Sequence, residues 1–353
     1  MIPGYLRALT NEIKAAASLE CQTERLPLRS VYFGGGTPNL IPAEQIGEIL
    51  KLLQDLFGFA ADCEITLEAN PETVNAKIIR ELADYGVNRL SLGLQAVQDH
   101  LLKSIGRMHT ADDFRNAVLA ASDAGIRNVS ADLMLGLPGQ TIEDIDESLD
   151  FIMELPIKHI SCYSLIIEPD TPFFERYSQH PELLPDDLIE RAMYHHTIER
   201  LAAVGMPLYE ISNAAVPGFE SRHNLVYWQA REYYGFGPSA HSYLAGIRRG
   251  NHSDLKRYIS IWKNGAEPFA SAVELEKIDE KAKQKEMLLL GLRLIDGVSL
   301  DRFRNSFGTE IQTVFGKQLQ LLKQRELIII DENSVRLSRK GLDFANQVFM
   351  EFV

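Results

Sequence analysis

Val31-Tyr32-Phe33-Gly34-Gly35-Gly36-Thr37-Pro38 is the stretch on which the reading of this chain turns. Three apolar residues of high β-propensity run into three adjacent glycines and then Thr-Pro. The apolar run reads as a strand buried on both faces, as in a parallel sheet. Adjacent glycines let the backbone turn sharply and lie close to something small. Thr37 adds a hydroxyl, and Pro38 stiffens the exit. A helix pattern follows from Pro42, with Ile46, Ile49, Leu50 and Leu53 on one face. Alone, this is an ordinary strand-to-helix turn. No Gly-Lys-Ser/Thr follows, so it is not a P-loop, and its glycines are not spaced as in the dinucleotide fingerprint.

Outward from it, strand-like and helix-like runs alternate. Strands are expected over 30–33, 64–68, 89–93, 128–133, 159–167 and 208–212. Helical patterns cover 5–18, 42–57, 76–85, 114–124, 142–155 and a stretch from Pro185 to about Ala203. Such β–α repetition implies parallel strands with crossover helices, in a barrel or in an open doubly wound sheet.

The polar residues mark a site. Glu68 ends the second strand in Glu68-Ala69-Asn70-Pro71, and Gln95 follows the third in Ser91-Leu92-Gly93-Leu94-Gln95. Asp132 lies near the end of the fourth, before Gly136-Leu137-Pro138-Gly139-Gln140, and Glu168 follows the fifth. Taken singly, each is an ordinary cap or surface residue. Together, at the carboxyl ends of successive strands, they converge on one rim, where such sheets bind ligands.

These motifs carry a resemblance. Gly34 to Pro38, Glu68-Ala69-Asn70-Pro71, Gln95, Gly106-Arg107-Met108-His109 and Asp132-Leu133-Met134-Leu135-Gly136-Leu137-Pro138 occur in this order. Over nearly the whole chain they resemble the radical S-adenosylmethionine (SAM) proteins of the oxygen-independent coproporphyrinogen III oxidase group, and its heme-chaperone branch most of all. The resemblance implies an α/β fold, a partial, three-quarter β/α barrel of parallel strands. It implies that Gly35, Gly36 and Thr37 meet the methionyl end of SAM, and that Glu68, Gln95, Arg107 and Asp132 surround the cofactor. The chemistry agrees: sulfonium, ammonium and ribose hydroxyls suit carboxylates and amides, and the carboxylate suits Arg107.

That group also binds a 4Fe-4S cluster through a Cys-x-x-x-Cys-x-x-Cys loop after its first barrel strand. Here the three cysteines, Cys21, Cys63 and Cys162, stand 42 and 99 residues apart. They are too few for a disulfide framework, match no cluster loop and read as ordinary free thiols. The expectation is a chain without its first barrel strand and cluster loop, with no 4Fe-4S ligands of its own, binding SAM weakly. Without the cluster, SAM loses its iron anchor and its electron source.

Pro217-Gly218-Phe219-Glu220-Ser221-Arg222-His223-Asn224-Leu225-Val226-Tyr227-Trp228 is the second informative stretch. By residue type it reads as an aromatic core edge with a hydrogen-bonded histidine. His-Asn-x-x-Tyr-Trp, however, resembles a signature of the heme-chaperone branch. This implies that His223 ligates heme iron while Tyr227 and Trp228 offer flat apolar surface to the macrocycle. Gly235-Phe236-Gly237-Pro238-Ser239-Ala240-His241 resembles the same group as a pocket-lining loop, with His241 a rival ligand. His195 and His196, adjacent on a helix, point different ways and read as structural.

The charged stretch 265–278 reads as a linker. Beyond it, helices over 279–294, 300–307 and 310–325, a hairpin over 327–337 and a helix from Lys340 resemble a winged-helix module. Asp331-Glu332-Asn333 supplies the hairpin turn and Ser338 a helix cap. Residues 1–264 then hold the barrel and its heme-associated extension, and 279–353 the module. From Leu300 onward eight Lys or Arg face seven Asp or Glu, too weak a positive field for DNA.

The 353 residues are 45% apolar and 24% charged, a globular composition, and the net charge of −13 argues against nucleic acid or anionic membrane as main partner. No segment has the length of an apolar span and no basic-then-apolar leader precedes Tyr5, so cytoplasm is expected. The resemblance implies a heme-binding chaperone that passes heme to an acceptor protein, a membrane protein included. The alternatives are an oxygen-independent coproporphyrinogen III dehydrogenase, which would decarboxylate two propionates oxidatively, and an interaction protein free of cofactor.

Overall fold

The structure is a computed structural model and describes residues 1–19 and 27–353. The chain forms two compact units. One gathers Ser30–Gly47 and Glu64–Ser221, the other Met1–Arg29, Glu48–Cys63 and Arg222–Val353.

The first unit is built on a seven-stranded sheet. Its strands are β1 (Leu28–Phe33), β2 (Phe59–Ala69), β3 (Arg89–Gln95), β4 (Asn128–Leu135), β5 (His159–Ser164), β6 (Leu208–Glu210) and β7 (Asn213–Ala215), in the order β1-β2-β3-β4-β5-β7-β6. From β2 to β5 neighbours are parallel, and β7 and β6 close the row antiparallel. The first five strands follow chain order without a reversal. An open doubly wound sheet reverses at its switch point, whereas unbroken sequential winding curls a sheet towards a barrel. The fold is thus a curled partial barrel. Its crossover helices start at side-chain caps: Asn75 accepts from the Ile78 amide, and Thr110 and Thr141 form capping boxes with Asp113 and Asp144.

Strand β3, Arg89-Leu90-Ser91-Leu92-Gly93-Leu94-Gln95, is buried throughout, yet its leucines alternate with Arg89, Ser91, Gly93 and Gln95. The register carries that alternation across the sheet. Glu68 stands beside Ser91, Ser91 beside Ser130 and Ser130 beside His159. In the next row Gly93 stands beside Asp132, Asp132 beside Ser161 and Ser161 beside Asn213. Leu67, Leu90, Leu92, Ala131, Leu133 and Ile160 fill the opposite face, fully buried. Parallel strands covered on both faces read as continuous apolar runs. This sheet departs from that rule because one face lines a polar interior instead of a packed core.

Three expectations change here. β1 lies at the end of the sheet, and none of its residues is fully buried, so Val31-Tyr32-Phe33 is not a strand buried on both faces. β5 stops at Ser164. Where one strand was expected over 208–212, Glu210 accepts from the Ser212 amide and the Asn213 side chain, turning the chain into the β6–β7 pair.

In the second unit, β8 (His241–Leu244), β9 (Ile247–Asn251) and β10 (Ala272–Lys277) form an antiparallel sheet. β10 falls inside the stretch expected to be a linker. The C-terminal residues pair β11 (Val298–Ser299), β12 (Ile328–Ile330) and β13 (Ser334–Leu337) in the order β11-β13-β12 beside helices Glu280–Gly291, Leu300–Phe307 and Ile311–Gln324. Asp331 Oδ1 accepts from the Asn333 and Ser334 amides, and Ser338 Oγ from the Gly341 amide, fixing the turn and the cap. The helix Ile2–Ser18 packs on Leu255–Trp262 around Ala8, Tyr258 and Trp262. Glu12 is buried there and accepts from Tyr258 Oη (2.5 Å), Asn251 Nδ2 (2.6 Å), the Gly237 amide (2.8 Å) and Ser271 Oγ (3.3 Å).

Candidate functional site

The polar face of the sheet places most of the expected residues together at the carboxyl ends of β2, β3 and β4. Glu68 Oε1 accepts from Tyr32 Oη at 2.6 Å and Oε2 from the Gly35 amide at 3.2 Å, tying the glycine turn to the end of β2. Burial and the adjacent Glu68 push the Tyr32 phenol far up, so Tyr32 stays a donor. At Gly34 a Cβ would lie 2.7 Å from the Tyr32 ring and 2.9 Å from Glu68 Oε1, so a side chain there would push both away from their contact. Gly35 and Gly36 have φ of +83° and +107°, and a Cβ on either would meet nothing within 4 Å. Their backbone is therefore open to a ligand. Thr37 follows directly and makes no side-chain cap.

One strand over, β3 carries a bulge. Gly93 pairs with Asp132 but Gln95 with Leu133, so β3 spends one extra residue. Gln95 takes φ of +66°, and the Ala96 amide donates to Leu94 O at 2.9 Å, a three-residue γ-turn with a left-handed centre. Buried His109 adds its Nε2 to the same carbonyl at 3.0 Å. A strained residue at a strand end re-aims its side chain. The Gln95 amide folds back over Gly93, where a Cβ would meet Gln95 Nε2 at 3.0 Å and Asn70 Oδ1 at 3.7 Å. Asn70 Oδ1 also accepts from Arg107 Nη1 at 2.7 Å. Gly93→Ala should therefore keep the fold, changing stability by less than about 1 kcal/mol, since the flexible Gln95 tip gives way. The Gln95 side-chain amide resonances should shift while the fold's backbone resonances stay put. Unmoved Gln95 resonances would contradict the close approach.

Asp132 lies in the row beside Gly93. Its Oδ1 accepts from Ser91 Oγ at 3.1 Å. Burial pushes its carboxyl up to about 6, with Ser161, Ser91 and Arg89 pulling it down and Glu68 pushing it up. A cation placed here would gain a carboxylate that nothing on the sheet fully compensates. Glu168, by contrast, lies exposed beyond β5, where its carbonyl accepts from Thr171 Oγ1. Sequence reading passed over Tyr32, Ser91 and buried Arg89 on this face. Their signal was the alternation of β3 and its neighbours.

The described cysteines do not fit an iron–sulfur cluster. Cys63 and Cys162 are buried and not disulfide-bonded, and burial pushes the Cys162 thiol up to about 12, far from the thiolate a cluster needs. Cys21 lies outside the described residues.

In the second unit, His223, Tyr227 and Trp228 share the helix Arg222–Trp228. Arg222 anchors its start, donating to the Asp62 carbonyl and carboxylate, both at 2.6 Å. His223 Nε2 lies 3.0 Å from Tyr227 Oη, with the rings edge to face at 88° and 5.0 Å between centroids. Tyr233 meets the Tyr227 ring edge-on at 4.6 Å. Trp228 faces the C-terminal residues: the Arg293 guanidinium lies 4.9 Å from its ring and 5.1 Å from that of Phe349, and Trp228 Nε1 is buried with no hydrogen-bond partner among the described residues. His241 is exposed on β8, 3.4 Å from Glu274. His196 pairs with Asp146 at 2.7 Å, a structural contact.

Comparison with known proteins bears on both halves. Residues 7–152 match the model of the radical SAM superfamily, and residues 278–344 that of the HemN C-terminal domain. The heme chaperone HemW of Lactococcus lactis subsp. lactis (strain IL1403) is 35% identical over 352 residues, spanning 100% of this chain and 90% of that protein. HemW of Bacillus subtilis (strain 168) is 35% identical over 353 residues, spanning 100% and 92%. The mitochondrial radical S-adenosyl methionine domain-containing protein 1 of Mus musculus is 33% identical over 89% of this chain and 73% of its own length. In structure, the coproporphyrinogen III oxidase HemN of Escherichia coli superposes with a TM-score of 0.83 over 99% of this chain and 82% of that one, at 22% identity, a likeness of fold.

Proposed function

The chain belongs to the HemW family, and from that premise we propose that it binds heme and passes it to an acceptor protein. The observation that carries this is His-Asn-x-x-Tyr-Trp, held on one anchored helix in a chain 35% identical to heme chaperones along its whole length. His223 is the iron ligand, because an imidazole nitrogen is a strong axial donor to heme iron. Tyr227 presents the aromatic surface beside it. Trp228 contributes by holding the helix to Arg293 and Phe349 rather than by lying against the macrocycle.

SAM is assigned to the rim of the first unit. Gly35 and Gly36 would take its methionyl end along their open backbone, with Thr37 beside them. Arg107 would pair with its carboxylate, and Glu68, Gln95 and Asp132 would receive its ammonium, sulfonium side and ribose hydroxyls. SAM supplies a cationic ligand to that carboxylate-lined face. The residues of this chain bind and orient it.

A titration of ferric heme into the 353-residue chain tests the cargo reading. His223→Ala should remove or shift the Soret band and weaken binding at least roughly ten-fold, as expected for loss of a metal ligand. An unchanged spectrum and affinity would transfer the role to His241 or end the claim. Trp228→Ala should lower affinity less, since it removes no metal bond.

A further inference from the structure

His223 does not offer a bare Nε2. Its Nε2 lies 3.0 Å from Tyr227 Oη, one helical turn along the same helix. Nε2 is occupied in either tautomer. If Tyr227 donates its O–H, the Nε2 lone pair is taken. If Nε2–H donates to the phenol oxygen, that nitrogen carries a proton and has no free pair. In both cases iron cannot reach Nε2 until the contact opens. The phenol is held in place. Its ring is met edge-on by Tyr233 at 4.6 Å, and Tyr233 is fixed by paired backbone hydrogen bonds to Tyr243, 2.9 Å each way.

We propose that heme iron binds His223 at Nε2 and that Tyr227 is an internal competitor for that nitrogen, a residue that sets how readily heme is released. The proposal rests on the assignment of heme to His223. Loading exchanges the Nε2–Oη contact for the Fe–N bond, and unloading restores it. The vacant chain is thereby stabilised relative to the loaded one, and the imidazole has a partner waiting when iron leaves. A storage protein gains nothing from such a competitor, but a carrier that must deliver its cargo does. No bond order, charge or electron count changes in the exchange beyond the ligand substitution at iron and the return of one hydrogen bond.

The experiment uses ferric heme with the full 353-residue chain and apomyoglobin as the trap for released heme. Tyr227→Phe keeps the ring and its contact with Tyr233 and removes only the hydroxyl. It should bind heme roughly three- to ten-fold more tightly, the worth of one hydrogen bond, and the gain should show mainly as slower transfer to apomyoglobin. Weaker or unchanged binding by Tyr227→Phe, with His223→Ala still losing heme, would overturn the proposal, because the hydroxyl would then be an orienting partner or a bystander. If His223→Ala leaves the spectrum and affinity untouched, the assignment of heme to His223 fails first, and the competitor falls with it. Tyr227→Leu serves as a second variant: it also removes the competing hydroxyl, so faster transfer than wild type from both variants would overturn the proposal.

Discussion

Glu12→Ala should cost about 3–5 kcal/mol of stability, the range for stranding a buried hydrogen-bonded charge network. Glu12 is 5% exposed and is the shared acceptor for Tyr258, Asn251, Ser271 and the Gly237 amide. Burial pushes its carboxyl up, and those four donors pull it back down. Removal of the carboxylate leaves four donors facing one small void. Because the chain has two units, urea melts need not be two-state. The sharper readout is amide hydrogen exchange at Gly237, whose protection should collapse along with the earliest unfolding transition. Glu12→Gln, which keeps an acceptor oxygen, should lose markedly less. If Glu12→Ala lost under 1 kcal/mol and Gly237 stayed protected, the network would be incidental to the fold.

Asp132→Asn should do the reverse, and only at high pH. The Asp132 carboxyl rises from 3.8 to about 6 in the folded chain. Between those values the folded chain keeps a proton that the unfolded chain has lost. The group's contribution is fully present below about pH 4 and is lost as pH rises through about 6. The neutral amide escapes that loss, so the variant should be about 3 kcal/mol more stable than wild type at pH 8, from a shift of about two units at 1.36 kcal/mol each. The gain should shrink towards zero as pH falls to about 4. Denaturation at pH 5 and pH 8 measures the slope. A variant equally stable or weaker at pH 8 would show that Ser91 and Ser161 already satisfy the charge. On the proposed assignment of SAM to this rim, the same substitution should weaken SAM binding, an instance of stability given up for a site.

The sheet was legible because its signals are local and repeat. β3 and β4 begin at the residues expected, and the rim followed from polar groups at strand ends. The bulge at Gln95 was not legible, since nothing in Gly93-Leu94-Gln95 announces an extra residue. It is enforced by His109, fourteen positions after Gln95, through the Leu94 carbonyl. β10 was missed for a different reason. Ala272–Lys277 is almost wholly exposed, with Val273 and Leu275 at the surface, so its alternation carries no burial signal and its charges read as linker. Glu12 was hidden in plain view within the apolar stripe of Ala8, Leu9, Ile13 and Ala16. Only distant residues explain it, and sequence spacing cannot name them.

That distance has a kinetic meaning. Glu12 meets Ser271 across 259 positions, and Asn11 donates to Trp262 across 251. A ribosome adding roughly 5–20 residues per second leaves the first helix without these partners for about 10–50 s. Throughout that interval Ala8 lacks Tyr258 and Trp262, the buried residues it packs with, and Glu12 lacks its donors. The unit that closes over them is completed only when the last third of the chain has emerged. The first helix to be made is thus among the last to be buried, and a nascent chain stalled before Tyr258 would display it to whatever holdase or aggregate it met first.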